Sequence, residues 1–173
     1  PGKGKAMSSV FNVDEVLQMA VKIEQNGQKF YRRGAQMAAG EKIGQVLLTL
    51  AEYEVEHERI FQTMRAELTA EERQPTVYDP EDDAGKYLAA LADRRIFNVD
   101  ADPLAKLGSA RGPADILNLA IAAEKESVVF YTGLKDAVPP RLGREKMDEI
   151  IREELRHIGI LAGHLAGLGG RRN

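Results

Sequence analysis

Laid over itself with an offset of 100 residues, the chain repeats its polar residues where amphipathic helices should be apolar. The stretch "EQNGQKFY" (24–31) falls on "EKESVVFY" (124–131), and "EVEHERIF" (54–61) falls on "ELRHIGIL" (154–161), with no gap between them. Glu24, Tyr31, Glu54 and His57 thereby meet Glu124, Tyr131, Glu154 and His157, whereas most other positions differ between the halves. A duplicated set of acidic and imidazole groups on inward faces requires two similar halves that bring those faces together.

The apolar periodicity says what the halves are. Val13, Val16, Leu17, Ala20, Ile23, Gly27, Phe30, Tyr31 and Gly34 keep a three-or-four spacing, which predicts a helix over about 13–38. Asn12 is a suitable N-cap and Glu15 stands where a capping box places its carboxylate. After the break at "AAGEK" a second helix is expected over about 42–68, and so short a link implies antiparallel neighbours. Residues 71–112 are rich in proline and turn residues, with one helix expected over 79–96 and a further turn opened by Asp102-Pro103. Third and fourth helices are expected over about 113–136 and 141–168, broken apart by "VPPRLG". No segment alternates with a period of two for long enough to make a strand. The fold class expected is therefore all-α: a ferritin-like antiparallel four-helix bundle over 12–168, with a long crossover (71–112) containing a short helix between helices 2 and 3. Residues 1–11 and 169–173 are expected to be tails, and Met7 is a candidate initiator behind an appended stretch.

Composition removes several kinds of chemistry. There is no cysteine in the 173 residues, so thiolate metal sites, disulfides and a rubredoxin-type centre within them are excluded. A net charge of −3 supplies no basic field for nucleic acid. No apolar run approaches the ~20 residues needed to span a bilayer, and no signal peptide is visible. The expectation is a cytoplasmic protein with neither a membrane nor a nucleic-acid partner.

The repeated residues carry the chemistry. Residues three apart on a helix share a face, so Glu54 with His57, and Glu154 with His157, can each reach one ion together. Glu24 and Glu124 lie in the inward stripes of the first and third helices. Four carboxylates and two imidazoles then converge on one axis, where buried anions would raise one another's pKa values unless cations were present. Two divalent ions balance four carboxylates. A single Glu-x-x-His is usually a solvated helix face, but two of them with two further inward glutamates describe a metal site. His164, near the end of the fourth helix, is read as a partner of the helix dipole.

This pattern resembles the erythrin domain of the rubrerythrins, within the ferritin-like di-iron carboxylate proteins, over residues 12–70 and 113–168. The resemblance implies that Glu24 and Glu124 are terminal ligands, that Glu54 and Glu154 bridge two ions, and that His57 and His157 each hold one. It also implies that Tyr31 and Tyr131 donate hydrogen bonds to ligand carboxylates. Two departures stand out. Ser127 occupies the position of a further glutamate in rubrerythrins, which leaves a six-ligand set closer to the ferroxidase centre of bacterioferritins. The rubredoxin-like partner domain of that family is missing from the pattern, so electrons are expected from a separate donor protein.

Carboxylate-rich ligation suits iron, with manganese as the alternative, better than zinc. The expected function is a di-iron oxidoreductase that reduces hydrogen peroxide or dioxygen. An iron-sequestering ferroxidase, a manganese catalase-like enzyme and a non-catalytic helical module are the alternatives. Surplus apolar residues on the crossover (Tyr78, Tyr87, Leu88, Leu91, Ile96 and Phe97) give the expectation of a homodimer.

Overall fold

The structure, a computed structural model, describes residues 13–38, 41–74 and 102–169. Asn12, the crossover helix expected over 79–96 and the crossover apolar residues lie outside them.

Five helices make up the described residues: α1 (Val13–Met37), α2 (Glu41–Ala66), α3 (Pro103–Leu107), α4 (Pro113–Ala137) and α5 (Arg144–Gly169). Among the described residues there is no strand, and no helix is long and apolar enough to cross a membrane. The boundaries follow local chemistry. The side chain of Asp102 caps α3 by accepting from the Leu104 amide at 2.9 Å, with Pro103 in the first turn where its missing N–H costs nothing. Pro113 likewise stands in the first turn of α4, where Gly112 makes no side-chain cap. The fourth long helix starts three residues later than the periodicity suggests. Pro139 and Pro140 lack amide donors, residues 140–142 form a 3₁₀ turn, and Gly143 takes a left-handed φ of 90° before α5 begins.

The helices α1 and α2 pair along their lengths as one hairpin, and α4 and α5 as another. Asp14 in the first turn of α1 is held by Arg65 of α2 at 2.9 Å, and Lys135 of α4 meets Asp148 of α5 at 2.6 Å. The short α3 is pinned to α1 by Leu107, which is buried among Phe30, Tyr31, Leu50 and Leu117.

The core is divided into two apolar clusters. One gathers Leu17, Ala20 and Ile23 of α1 with Phe61 and Met64 of α2, Phe130 and Leu134 of α4, and Met147 and Ile150 of α5. The other gathers Phe30 and Tyr31 of α1 with Leu47 and Leu50 of α2, Leu117 and Ala120 of α4, and Leu161 of α5. On each long helix the repeated polar residues fall between the two clusters. Val46, Ile121, Val128, Ile151 and Ile158, which also fall in apolar stripes, are only half-buried. The memberships also fix direction: α1 runs antiparallel to α4, and α2 antiparallel to α5.

Candidate metal centre

Seven polar or charged residues are buried among those described: Glu24, Gln28, Glu54, His57, Glu124, Glu154 and His157. Six of them are acidic or imidazole residues of the repeat, and each of the six is at most 4 % exposed. The seventh is satisfied within the α1–α2 hairpin, where the Gln28 amide donates to Glu58 Oε2 at 2.6 Å.

The six form two overlapping groups. Glu24, Glu54, His57 and Glu154 bring one donor atom each to within 4.8 Å of one another, and so do Glu54, Glu124, Glu154 and His157. Glu54 and Glu154 belong to both. Glu154 faces both imidazoles, with Oε1 3.1 Å from His57 Nδ1 and Oε2 3.0 Å from His157 Nδ1. His57 Nδ1 is also 3.8 Å from Glu24 Oε2, and His157 Nδ1 is 3.4 Å from Glu124 Oε1. The two rings lie 6.1 Å apart and nearly parallel.

Burying four carboxylates has the electrostatic consequence that proximity dictates. Burial, reinforced by Glu154 and Glu124, raises the Glu24 carboxyl to about 8. Burial and the Glu154 charge raise Glu124 to about 7. Glu54 goes well above the usual carboxylate range through burial and the neighbouring Glu24. Glu154 is the exception: burial would raise it, but its contacts with His157 and His57 outweigh burial and hold it at about 2. Burial lowers both imidazoles, yet the facing carboxylates prevail and carry His57 and His157 to about 9.

Protons thus occupy the positions that cations would take. Glu24 Oε2, Glu54 Oε1, His57 Nδ1, Glu154 Oε1 and His157 Nε2 are buried and make no hydrogen bond among the described residues. An unpaired buried polar atom costs about 1–3 kcal/mol. The three carboxylate oxygens offer lone pairs, and His57 Nδ1 does so once its proton is displaced, as ligation requires. Two divalent ions would neutralise the four carboxylates and occupy these donors, so the residues fit a two-ion site.

Tyr31 and Tyr131 lie beside it, and their partners are crossed. The Tyr31 hydroxyl donates to Glu124 Oε1, and the Tyr131 hydroxyl to Glu24 Oε1. Each tyrosine serves the glutamate of the other half. Seven residues along one helix is about 10.5 Å, too far for a tyrosine to reach back to its own glutamate. The antiparallel α1–α4 pairing sets Tyr131 opposite Glu24 instead. Burial and then the partner carboxylate push both phenols well above their usual pKa, so they remain protonated donors.

Gly27 and Ser127, equivalent in the repeat, line a cavity of about 120 Å³ that reaches the centre at Glu54 and Glu124. Asp102 and Lys106 from the α3 segment and Glu126 of α4 also line it, with Lys106 Nζ 3.9 Å from Glu126. A Cβ at position 27 would stand 2.8 Å from Glu54 Oε2. Gly27→Ala should therefore leave the fold intact and displace the Glu54 carboxylate. Its metal affinity is expected to fall at least about 10-fold, as for other changes that reorient a ligand. An unchanged isotherm in calorimetric metal titration would show that Glu54 accommodates the methyl group.

The sequence pattern missed two residues on the opposite side. Glu153 Oε2 lies 2.8 Å from His57 Nε2, and the Tyr53 ring packs 5.0 Å from the His157 ring. His164 belongs to neither group; it is half-buried and stands before the last turn of α5, where the helix dipole acts only weakly.

The family model described as Rubrerythrin matches residues 15–99. No curated protein matches the chain. Among solved structures, the chain is similar to a Thermotoga maritima protein described as ferritin-like and diiron-carboxylate, with 23% identity and a TM-score of 0.63. That likeness covers 91% of this chain and 96% of the other, and it establishes a shared fold. With helical hairpins packed around a buried Glu and Glu-x-x-His set in each half, the chain has a ferritin-like fold, and its residues 15–99 are similar to the rubrerythrins.

Proposed function

We propose that the protein is a di-iron oxidoreductase that couples oxidation of two ferrous ions to reduction of hydrogen peroxide or dioxygen. The observation that carries this reading is the sharing of Glu54 and Glu154 between two four-residue groups. Two ions held by common carboxylates must be close neighbours. Glu24 and His57 would complete one position, and Glu124 and His157 the other. The description of the Thermotoga maritima protein favours iron, as does the excess of carboxylate over imidazole. When bound, two adjacent ferrous ions supply the two electrons that cleavage of an O–O bond takes up.

The chain's own residues would do the rest. Tyr31 and Tyr131 hold Glu124 and Glu24 in place through hydroxyl donors that do not ionise near neutral pH. The flanking apolar clusters keep bulk water from the centre. The cavity at Gly27 and Ser127 would give peroxide or dioxygen a route to the centre. Peroxide reduction consumes two electrons and two protons per molecule and yields two waters. The electrons are proposed to come from a separate donor protein, in a cytoplasmic homodimer.

A second reading, ferrous oxidation for iron sequestration, is favoured by Ser127, because the position three residues after Glu124 carries a hydroxyl and not a further carboxylate. Stopped-flow mixing of the anaerobically loaded ferrous protein with peroxide and with dioxygen tests both. Faster oxidation by peroxide supports the oxidoreductase, and Ser127→Glu should widen that preference. Dioxygen consumption by a large hollow particle would support sequestration instead. No change in the iron spectrum with either oxidant would remove the redox reading.

A further inference from the structure

We propose that Glu153 makes the two ion positions unequal, so that the ion at His57 binds first and more tightly than the ion at His157. This rests on the two-ion reading above and extends it to the order of filling. The repeat equates position 153 with position 53, but the residues there differ in kind, a carboxylate in one half and a phenol in the other. Because α2 and α5 run antiparallel, each of these residues covers the histidine of the opposite half.

Both imidazoles turn Nδ1 towards Glu154 and the centre. The outer nitrogens have different surroundings. His57 Nε2 lies 2.8 Å from Glu153 Oε2, within hydrogen-bonding distance, and the other Glu153 oxygen faces Arg156 at 4.0 Å. His157 Nε2 is buried with no hydrogen-bond partner among the described residues, and Tyr53 presents a ring tilted 51° to the imidazole. A carboxylate on the outer nitrogen fixes the proton at Nε2, leaves the Nδ1 lone pair free for a metal and makes that nitrogen a stronger donor. His157 has no such support and must select its tautomer at the moment of binding. Loss of such an outer carboxylate typically weakens metal affinity 10–100-fold.

Anaerobic titration with cobalt(II), followed by calorimetry and by the visible ligand-field bands, tests the inference. The wild-type protein should fill in two steps whose affinities differ by about 10–100-fold. The tighter step should survive in His157→Ala and vanish in His57→Ala. Glu153→Gln should weaken the first step until the two converge, with total uptake unchanged. Tyr53→Glu should strengthen the second step, a gain that a merely structural role at this position would not produce. Two equal steps in the wild type, or a first step unaltered by Glu153→Gln, would overturn the inequality while leaving the two-ion site standing. Failure of the wild type to take up cobalt(II) at all would instead overturn the two-ion reading and the inequality with it.

Discussion

Replacing Glu154 with alanine is expected to remove both metal ions, whereas replacing His57 with alanine should remove one. Glu154 is the residue whose two oxygens face the two imidazoles, at 3.1 and 3.0 Å, and it belongs to both ligand groups. A terminal ligand lost from one group leaves the other group's four donors intact. A shared carboxylate lost from both leaves each with three, and with less negative charge to hold a cation. Protein loaded anaerobically with ferrous iron should contain about two equivalents in the wild type. Elemental analysis should find about one in His57→Ala and little in Glu154→Ala. The alanine variant also strands two imidazoles beside a void, and breaking a buried ion pair costs about 3–5 kcal/mol. Glu154→Gln keeps the volume, so loss of both ions from that folded variant separates ligation from folding. Retention of near-wild-type metal by folded Glu154→Gln and Glu54→Gln proteins would sink the assignment.

The repeat made the centre legible in the sequence and left its wiring unreadable. Glu24, Glu54, His57 and their mates could be found because each breaks an apolar stripe at an equivalent place in both halves. A lone buried carboxylate carries no such signature. The four long helices were legible from three-or-four periodicity, the second ending two residues earlier than expected and the fourth starting three residues later, where proline and Gly143 impose local geometry that periodicity does not encode. The crossed tyrosines were not legible. A repeat says which residues correspond, but helix direction decides which residues meet, and antiparallel packing sends Tyr31 to Glu124 rather than Glu24. Glu153 escaped for a related reason. Its mate is Tyr53, so the repeat comparison discards it, and it acts on a histidine 96 positions away in the chain. One trace did exist: Glu153 immediately precedes Glu154 of the repeat and stands four residues before His157.

The metal-free protein is expected to lose stability as pH rises across neutrality, and metal binding should reverse much of that loss. Glu24 and Glu124, carried by burial and by neighbouring carboxylates to about 8 and about 7, bind protons in the folded state that the unfolded chain releases near 4.5. Their contribution is therefore complete below 4.5 and disappears as pH climbs through 7 and 8. The histidines act in the same direction. Their contribution is complete below 6.5 and is lost as pH approaches about 9. Glu154, held at about 2, has the opposite sign, and its contribution fails only as pH falls from 4.5 towards 2. Every one of these groups except Glu154 must give up a proton before it can bind a cation, so metal affinity rises over the same range in which the metal-free fold weakens. Manganese(II) is a suitable probe because it does not oxidise during a melt. At a free concentration about 1,000 times its Kd, an ion binding only the folded state adds about 4 kcal/mol. For a chain of this size each kcal/mol moves Tm by about 2–4 °C, giving a rise of about 8–16 °C. Melts taken at intervals between about pH 6 and about pH 8 should show the metal-free Tm falling and the gap between free and loaded protein widening. A metal-free Tm that rises over that interval, or a gap that narrows, would mean that the buried carboxylates are not the proton holders whose places the ions take.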